Sequence, residues 1–569
     1  MKRRIHISLG NIIAVMLLTV PLMAAHGQKF SAVNADGKAI FYNITSSSAP
    51  YSVEICSAPT ESKYTGEINI PETAVYAGKT YTVTSMASIF SEPPFRWNSE
   101  ITSITLPNTV GSPDLGAFSG CRGLTSIKLP DNMGIIQMSL FSDCISLETI
   151  NIPDKVKSIG SSAFLNCKNL VSVKLPASLE SMELNPFTGC SSLKEFQIDE
   201  NNKNYSVSEG VLFEKGEYML VVCPGRKKGE YILPNTVTFI GYYAFSDCGE
   251  LTSITLSERL SATTIYPVDY STFKGCKSLT EFRVAEGNRD FSSIDGALYD
   301  KYRESIIVYP ANKKGPFLIP DYVQKISNSA FENCTELTSV TLPASLQRSA
   351  IDNQTFGGCT KLTEFLVNEG NSYYSSVNGV VFNKNKTSIL AYPAGKGGAY
   401  SIPGSVIEIE SYAFWTCDEI TSIIIPPSVK TVGYRAFYCE NLTEMYAMSI
   451  NPPSADSYAF NNYPITTLYV PIGSKTKYQS ADGWKDFRNI VEMDFSGIED
   501  LTAENSNISI TIVNGRLQIS GAEDSTTVQV YNTAGNQLVN TSVADVSAAE
   551  LPQGVLIVAV NGKSYKVVK

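Results

Sequence analysis

The sequence predicts a mainly β fold: a solenoid of stacked parallel strands, with short turns or 3-10 helices on the opposite wall, hairpin inserts, and a small antiparallel β-sandwich at the C-terminus. Three observations predict it. Cysteines stand at Cys121, Cys144, Cys167 and Cys190, each 23 residues after the last. Around each, apolar positions run F-x-x-C-x-x-L-x-x-I-x-L-P, as in Phe118, Cys121, Leu124, Ile127, Leu129 and Pro130. The composition, with 30 Tyr, 25 Phe and recurrent Gly and Pro, favours strands and turns over long helices. A self-similar period of this kind marks a repeat array, and 569 residues exceed what one compact core holds.

The chain opens with Lys2, Arg3 and Arg4, then an apolar run from Ile12 to Ala25, then Ala25-His26-Gly27. A basic start, a short apolar stretch and small residues before a cut predict an export signal over residues 1–27. Its removal takes three basic residues and leaves 42 Lys+Arg against 55 Asp+Glu, a net charge of −13. No later segment is apolar for long enough to span a membrane as a helix. An acidic chain without a basic stripe is a poor nucleic-acid binder, so no nucleic-acid partner is expected. Residues 28–95 are expected to form an N-terminal β cap, 96–493 the solenoid, and 494–569 the β-sandwich.

Within one coil, the alternation in I-x-L predicts a short strand with one buried face. One coil cannot bury its inward residues alone, whereas stacked coils can, with their strands forming parallel ladders. The A-F-x-x-C segment then lies on the opposite wall as a tight turn or short 3-10 helix. The Pro after the strand stops ladder pairing and turns the chain. From Cys190 to Cys248, Cys276 to Cys334 and Cys359 to Cys417 the spacing widens to 58. Each long unit carries a matching insert, such as "VNGVVFNKNKTSILAYPAGKGGAYSIP". Each insert reads as a two-stranded hairpin with a Gly/Lys/Asn turn, followed by a return strand ending at Pro.

Ten cysteines share one register: Cys121, Cys144, Cys167, Cys190, Cys248, Cys276, Cys334, Cys359, Cys417 and Cys439. Three roles compete for them. Metal binding needs ligands that converge, usually as C-x-x-C pairs, whereas the ladder supplies one cysteine per coil. Disulfides are sterically open, since stacked coils lie about 4.8 Å apart, but pairing would pull coils out of register. In the third role Cys is one member of an apolar series, a small hydrophobe whose S–H gives a hydrogen bond to a turn carbonyl. That role fits the series best, and makes the ladder structural. Cys56 and Cys223 fall outside the register, and the sequence does not set their redox state.

Both histidines, His6 and His26, lie in the export signal. Their absence from the rest excludes Ser-His-Asp and Cys-His catalysis and His-ligated zinc. No pair of carboxylates stands out from the repeat, so a glycoside hydrolase is the weaker alternative, and no catalytic residue, metal or cofactor is expected.

The stretch "IGSSAFLNCKNLVSVKLPASL" resembles the repeat of BspA-like leucine-rich repeat proteins, surface proteins found largely in Bacteroidetes and some protozoa. The resemblance covers roughly residues 68 to 493, with "LYVPIGSKTKYQSADGWKDFRNIVEM" similar to the last coil of such proteins. Met138, Leu140 and Pro186 depart from its I-G-x-x-A-F pattern. The tail, with "V-Q-V-Y-N-T-A-G" and "LPQGVLIVAVNGKSYKVVK", resembles the C-terminal sorting domain of type IX secretion cargo. These resemblances imply a secreted or cell-surface protein, with the periplasm as the alternative. They imply a non-enzymatic adhesion scaffold for host matrix proteins or other cells, engaged with secretion machinery through its tail.

On the sheet face, the outward residues flank an inward Ile or Val in each strand. The expected ligand-binding positions are Ser126, Lys128, Ser172, Lys174, Glu281 and Arg283, with aromatic anchors Tyr446 and Tyr469 near the C-terminal end. A hydroxyl-rich flat face suits a protein or a glycan. A carbohydrate-capturing module would add Trp97, Trp415 and Trp484 as stacking surfaces.

Overall fold

The computed structural model describes residues 27–59, 63–88, 93–216, 218–262, 268–352, 354–461 and 463–495, and, in the tail, 509–513, 516–520, 522–532, 537–552, 555–560 and 563–568. Apart from Gly27, the expected export signal lies outside the described residues. Two compact units are present: residues up to 227 together with 241–248, and residues 228–240 together with those from 249 onward.

In the first unit, Lys29–Val33, Ala39–Ser46, Ser52–Ile55, Lys79–Met86 and Thr73–Tyr76 form a five-stranded sheet in that order. Gly66–Asn69, Ile101–Thr105 and Ser126–Lys128 then pair in parallel, as do Thr149–Asn151, Ser172–Leu175 and Glu195–Ile198. Their inward residues Ile68, Ile104, Ile127, Ile150, Val173 and Phe196 are all buried. These are the stacked parallel strands that the repeat predicts.

The first coil begins earlier than the cysteine register suggests. Phe95, Asn98, Ile101, Ile104 and Leu106 follow the same spacing, with Asn in the Cys place. Asn98 holds the coil through its amide, donating to Tyr64 O at 2.9 Å and accepting from Glu100 N at 2.9 Å. A polar substitute therefore survives at the end of the stack, where its bonds are satisfied locally.

Several coils also carry a second, two-residue strand that the sequence reading left out. Ile135–Ile136, Ser158–Ile159 and Ser181–Met182 form their own parallel ladder. Glycine follows that strand where the next backbone passes close. A Cβ on Gly160 would lie 2.6 Å from Met138 N, and one on Gly433 2.4 Å from Ser411 N. Gly433→Ala is expected to destabilise the second unit by roughly 1–3 kcal/mol, because backbone rather than a flexible side chain must yield. Denaturant unfolding checks it; a change below about 0.5 kcal/mol would refute the close approach.

The opposite wall is built of turns. The residue before Ala-Phe and the residue before Cys both take left-handed backbone, as in Ser139 (φ 54), Asp143 (φ 61), Ser162 (φ 55) and Asn166 (φ 60). Small or amide side chains suit that conformation. The wall is itself hydrogen-bonded from coil to coil: Phe141 N donates to Ala163 O, Asp143 N to Leu165 O and Phe164 N to Pro186 O, at 2.7–2.8 Å. Pro186 keeps the ladder because only its carbonyl is needed there. Tyr270–Phe273 is a true 3-10 helix, capped by Asp269. Inside, Phe95, Phe118, Phe141, Phe164 and Phe187 stack with neighbouring centroids 5.0–5.9 Å apart.

The inserts hold the predicted hairpins, Val211–Glu214 with Met219–Val222, Ala297–Asp300 with Ser305–Val308, and Val380–Asn383 with Ser388–Ala391. Another strand precedes each one, joined by Glu209-Gly210, Asp295-Gly296 or Asn378-Gly379, with positive φ at both residues. Asp-Gly and Asn-Gly are strong hairpin signals that the reading passed over. The insert lysines reach into this frame. Lys227 Nζ donates to Glu209 O at 2.9 Å, and Lys313 and Lys396 donate to Asp295 O and Asn378 O.

A buried asparagine anchors each long unit. Asn371 Nδ2 donates to Pro343 O (2.7 Å) and Leu346 O (3.3 Å), while Oδ1 accepts from Tyr373 N and Tyr374 N (both 2.8 Å). Asn202 and Asn288 repeat this arrangement in their own units.

In the second unit three parallel ladders run Lys228–Ile232, Glu250–Leu256, Glu281–Val284; Gly315–Leu318, Leu337–Leu342, Glu364–Val367; and Gly398–Ser401, Ile420–Ile425, Glu444–Ala447, Thr467–Pro471, Asn489–Met493. In the tail, Ser509–Val513 pairs with Arg516–Ser520, and a four-stranded antiparallel sheet orders Gln537–Ser542, Thr527–Asn532, Val555–Val560 and Lys563–Val568. Ile510, Leu517, Val528, Val530, Leu556 and Val558 share one apolar cluster there. Among the described residues no helix is long and apolar enough to cross a membrane.

Candidate functional site: the outer sheet face and the cysteine ladder

The pleat points every second strand residue outward, so consecutive coils align these residues in columns. Ser126 and Lys128 are exposed and pair in register with Ser103 and Thr105. Ser172 is half-buried and Lys174 exposed, beside Thr149 and Asn151. Glu281 and Arg283 come together as an ion pair at 2.5 Å, and Arg283 also reaches Glu230, two strands away, at 3.3 Å. Exposed surface pairs of this kind contribute little to stability. Between them Ser253 is buried, its hydroxyl without a partner in the structure.

Tyr446 and Tyr469 stack at 4.6 Å and 8°. Tyr446 differs from the expected exposed anchor: it is only 3% exposed, packed with Ile424, Met448, Tyr469, Met493 and Phe495. Its hydroxyl donates to Glu444 at 3.1 Å. The cause is local: outward Ile, Tyr and Met on adjacent strands cover one another, and the chain leaving the last strand adds Phe495. Trp484 also differs, since it is fully buried and its indole N–H donates to Pro453 O at 2.8 Å. It offers no stacking surface. Trp97 is 59% exposed.

The face carries apolar residues that the sequence reading missed. Ile232 and Leu318 point outward at 66% and 68% exposure, beside Leu366 at 47%, which the alternation of its strand already marks as outward. Leu318 and Leu366 flank Thr341 in one column. The alternation in "YILP" and "FLIP" carried that signal. Beside the third hairpin a cleft of about 750 Å³ is lined in part by Tyr373, Ser388, Glu408 and Glu410. Burial and the neighbouring Glu410 raise the Glu408 carboxyl above its ordinary range.

All twelve cysteines are free thiols and buried. For nine of the ladder cysteines the S–H points at a carbonyl of the preceding coil. Cys121, Cys144, Cys167 and Cys190 donate to Phe95, Phe118, Phe141 and Phe164 O at 3.0–3.2 Å, and Cys359 and Cys439 to Phe331 and Phe414 O at 3.1–3.2 Å. Cys334 and Cys417 make longer contacts to Tyr309 and Tyr392 O, and Cys248 to Cys223 and Pro224 O. Cys276 is buried as well. A thiol reagent at pH 8 is expected to leave the ladder untouched in the native protein and to label it fully in denaturant. Rapid native labelling of most thiols would contradict this burial.

Stacked coils with short parallel strands, a turn wall and an internal Phe–Cys–Leu column define a β-solenoid of leucine-rich repeat type. The chain belongs to the BspA type leucine rich repeat region family, whose model matches residues 89–209, 227–308, 316–393 and 399–481. Residues 498–569 match a domain of unknown function, DUF6383. No curated protein matches the chain. Among solved structures it is similar to a leucine rich cell surface protein from Faecalibacterium prausnitzii (20% identity, 80% of this chain, 98% of that one, TM-score 0.36). It is also similar to leucine-rich repeat proteins from Bacteroides ovatus (20%, 80% and 98%, 0.32) and Eubacterium ventriosum (19%, 76% and 95%, 0.32).

Proposed function

We propose that the chain is an exported, non-enzymatic binding scaffold at the cell surface. It holds host matrix proteins or other cells on the outer sheet face. The observation that carries this is the solvent-facing apolar column residues Ile232, Leu318 and Leu366, at 66%, 68% and 47% exposure, set among hydroxyls and charges. The interior does not require large apolar residues there, since Thr255 and Thr341 occupy the same column. Apolar groups rimmed by polar ones suit a protein interface. The hydroxyl and lysine positions Ser126, Lys128, Ser172 and Lys174 supply polar contacts on the first unit. Family membership in a repeat family with no catalytic chemistry supports the non-enzymatic reading. Residues 494–569 act in this proposal as the sorting module for type IX secretion, and residues 1–27 as the export signal.

The mature chain, residues 28–569, is to be titrated over purified matrix proteins and mucin. Saturable binding that falls about tenfold in Leu318→Asp supports the reading. Absence of saturable binding on every coat argues against it. A strain lacking residues 494–569 that still places the protein at the surface would refute the sorting role.

A further inference from the structure

The turn wall of the second unit holds a cluster that the coil itself does not call for. Trp415 follows Phe414, at the position filled by Ser119, Ser142, Thr188, Ser246 and Gly357 in sibling coils. Arg435 precedes Ala436-Phe437, where Ser139, Ser162 and Ser329 stand elsewhere. The fold accepts serine at both places, though Leu165, Glu332 and Tyr438 also fill the first and Tyr243 and Tyr412 the second, so the coil requires neither Trp415 nor Arg435.

Their geometry is specific. The Arg435 guanidinium carbon sits 5.4 Å from the Trp415 ring centroid, 5.2 Å from Tyr434 and 5.3 Å from Tyr438. Three ring contacts at this range attract and orient the cation. The rings also hold each other, Trp415 against Tyr438 at 4.7 Å and against Tyr412 at 5.1 Å. Trp415 lies across Gly357 of the preceding coil, where a Cβ would come within 2.7 Å of the indole. Arg435 has the left-handed backbone, φ 50, that this turn position takes in its siblings, such as Ser162, Tyr243 and Tyr412. Among the described residues no carboxylate or carbonyl accepts a hydrogen bond from its guanidinium. The residue is half-buried, sits among three rings and still has its donors to give.

We propose that this arginine cage is a second docking site, which takes a carboxylate-bearing, partly apolar segment of a protein partner. It deepens the scaffold reading above and rests on it. A guanidinium with open donors matches a carboxylate fork to fork. Trp, Tyr and Arg are the residues that dominate binding hot spots. A sugar would need a free flat ring face. Here three ring faces turn toward the guanidinium, and Tyr434 meets Tyr412 and Tyr458 edge-on at 67° and 66°. Tyr458, 66% exposed, extends the patch.

The test uses the mature full chain on an array of synthetic peptides in which each acidic, partly apolar member has an Asn/Gln-matched twin. Hyaluronan and heparan sulfate coats stand beside it. Arg435→Ser and Trp415→Ser restore the sibling residues and are expected to fold, which circular dichroism checks. The wild type is expected to retain acidic members at least about tenfold better than their twins, and both variants to lose that preference. Equal retention of acidic and amide twins overturns the site, and so does a preference unchanged in Arg435→Ser. Arg435-dependent binding to the polysaccharides alone overturns it in favour of a glycan. Matrix coats that bind wild type and Arg435→Ser alike would spare the outer-face reading while the cage fails. Peptide discrimination without binding to any matrix coat would do the reverse.

Discussion

Raising the pH from about 8.5 to 11 is expected to unfold the coils steeply, long before the native thiols ionise. Burial is the first cause. It pushes the Cys121 thiol up to about 12, and lifts Cys144, Cys167 and Cys190 in the first unit and Cys334, Cys417 and Cys439 in the second well above the ordinary range. For Cys144 and Cys167 a neighbouring thiol in the stack adds to it. An unfolded thiol ionises near pH 8.5. The folded value is raised, so the unfolded chain loses protons first. The stabilisation is complete below about pH 8.5 and is lost as pH climbs toward the folded values. Each thiol contributes a slope of about 1.4 kcal/mol per pH unit in that window. With four such thiols in the first unit, the combined slope rivals the whole stability of a typical domain within two units. Buried Tyr392 and half-buried Tyr400 act in the same direction at still higher pH, because desolvation raises them as well. Denaturant midpoints measured from pH 7 to 11 check the slope. The double variant Cys144→Ala, Cys167→Ala should be weaker at pH 7 yet flatter by about two protons. A stability curve level to pH 11 would mean the sulfurs are not in a dry interior.

Asn371→Ala is expected to lower the stability of its long unit by roughly 3–5 kcal/mol. The side chain is fully buried and links two turns, donating to Pro343 O and Leu346 O and accepting from Tyr373 N and Tyr374 N. Alanine leaves those backbone groups buried without partners, and each such loss costs about 1–3 kcal/mol. Lys384 keeps its bond in the variant, because its ammonium donates to the backbone carbonyl of Asn371 at 2.5 Å, which alanine retains. In a repeat array the loss falls on one unit and its neighbours, so hydrogen exchange should show protection falling around residues 343–374 first. Asn385→Ala, on the exposed hairpin turn, should stay within about 0.5 kcal/mol and serves as control. Equal effects at the two sites would remove Asn371 from its anchoring role.

Much of the coil was legible because its chemistry is one-dimensional. Phe118, Leu124, Ile127 and Leu129 recur at fixed spacing, and a residue repeated in register must meet its counterpart once coils stack. The narrow ladder of Ile135–Ile136, Ser158–Ile159 and Ser181–Met182 was not legible, because two residues carry no measurable period. Asn202, Asn288 and Asn371 share the pattern N-x-x-[YF], but a polar residue ahead of an insert reads as a loop until its partners are seen. On the outer face, alternation indicated which residues point outward and not which of them remain uncovered. Tyr446 and Tyr469 were equally good candidates in sequence, and neighbours on adjacent strands bury only Tyr446 almost completely.

The sequence by itself determined the stacked, mainly β architecture, the turn wall and the hairpin inserts, because each depends on local spacing, turn chemistry and an apolar face that must be sealed by the next coil. Tertiary structure alone decided which outward groups keep solvent and which lose it. It alone brought Arg435 among Trp415, Tyr434 and Tyr438, and set Arg283 across to Glu230. Those outcomes depend on distances between residues that are far apart along the chain or point to the same side of different coils, and a pattern read along one dimension does not contain them.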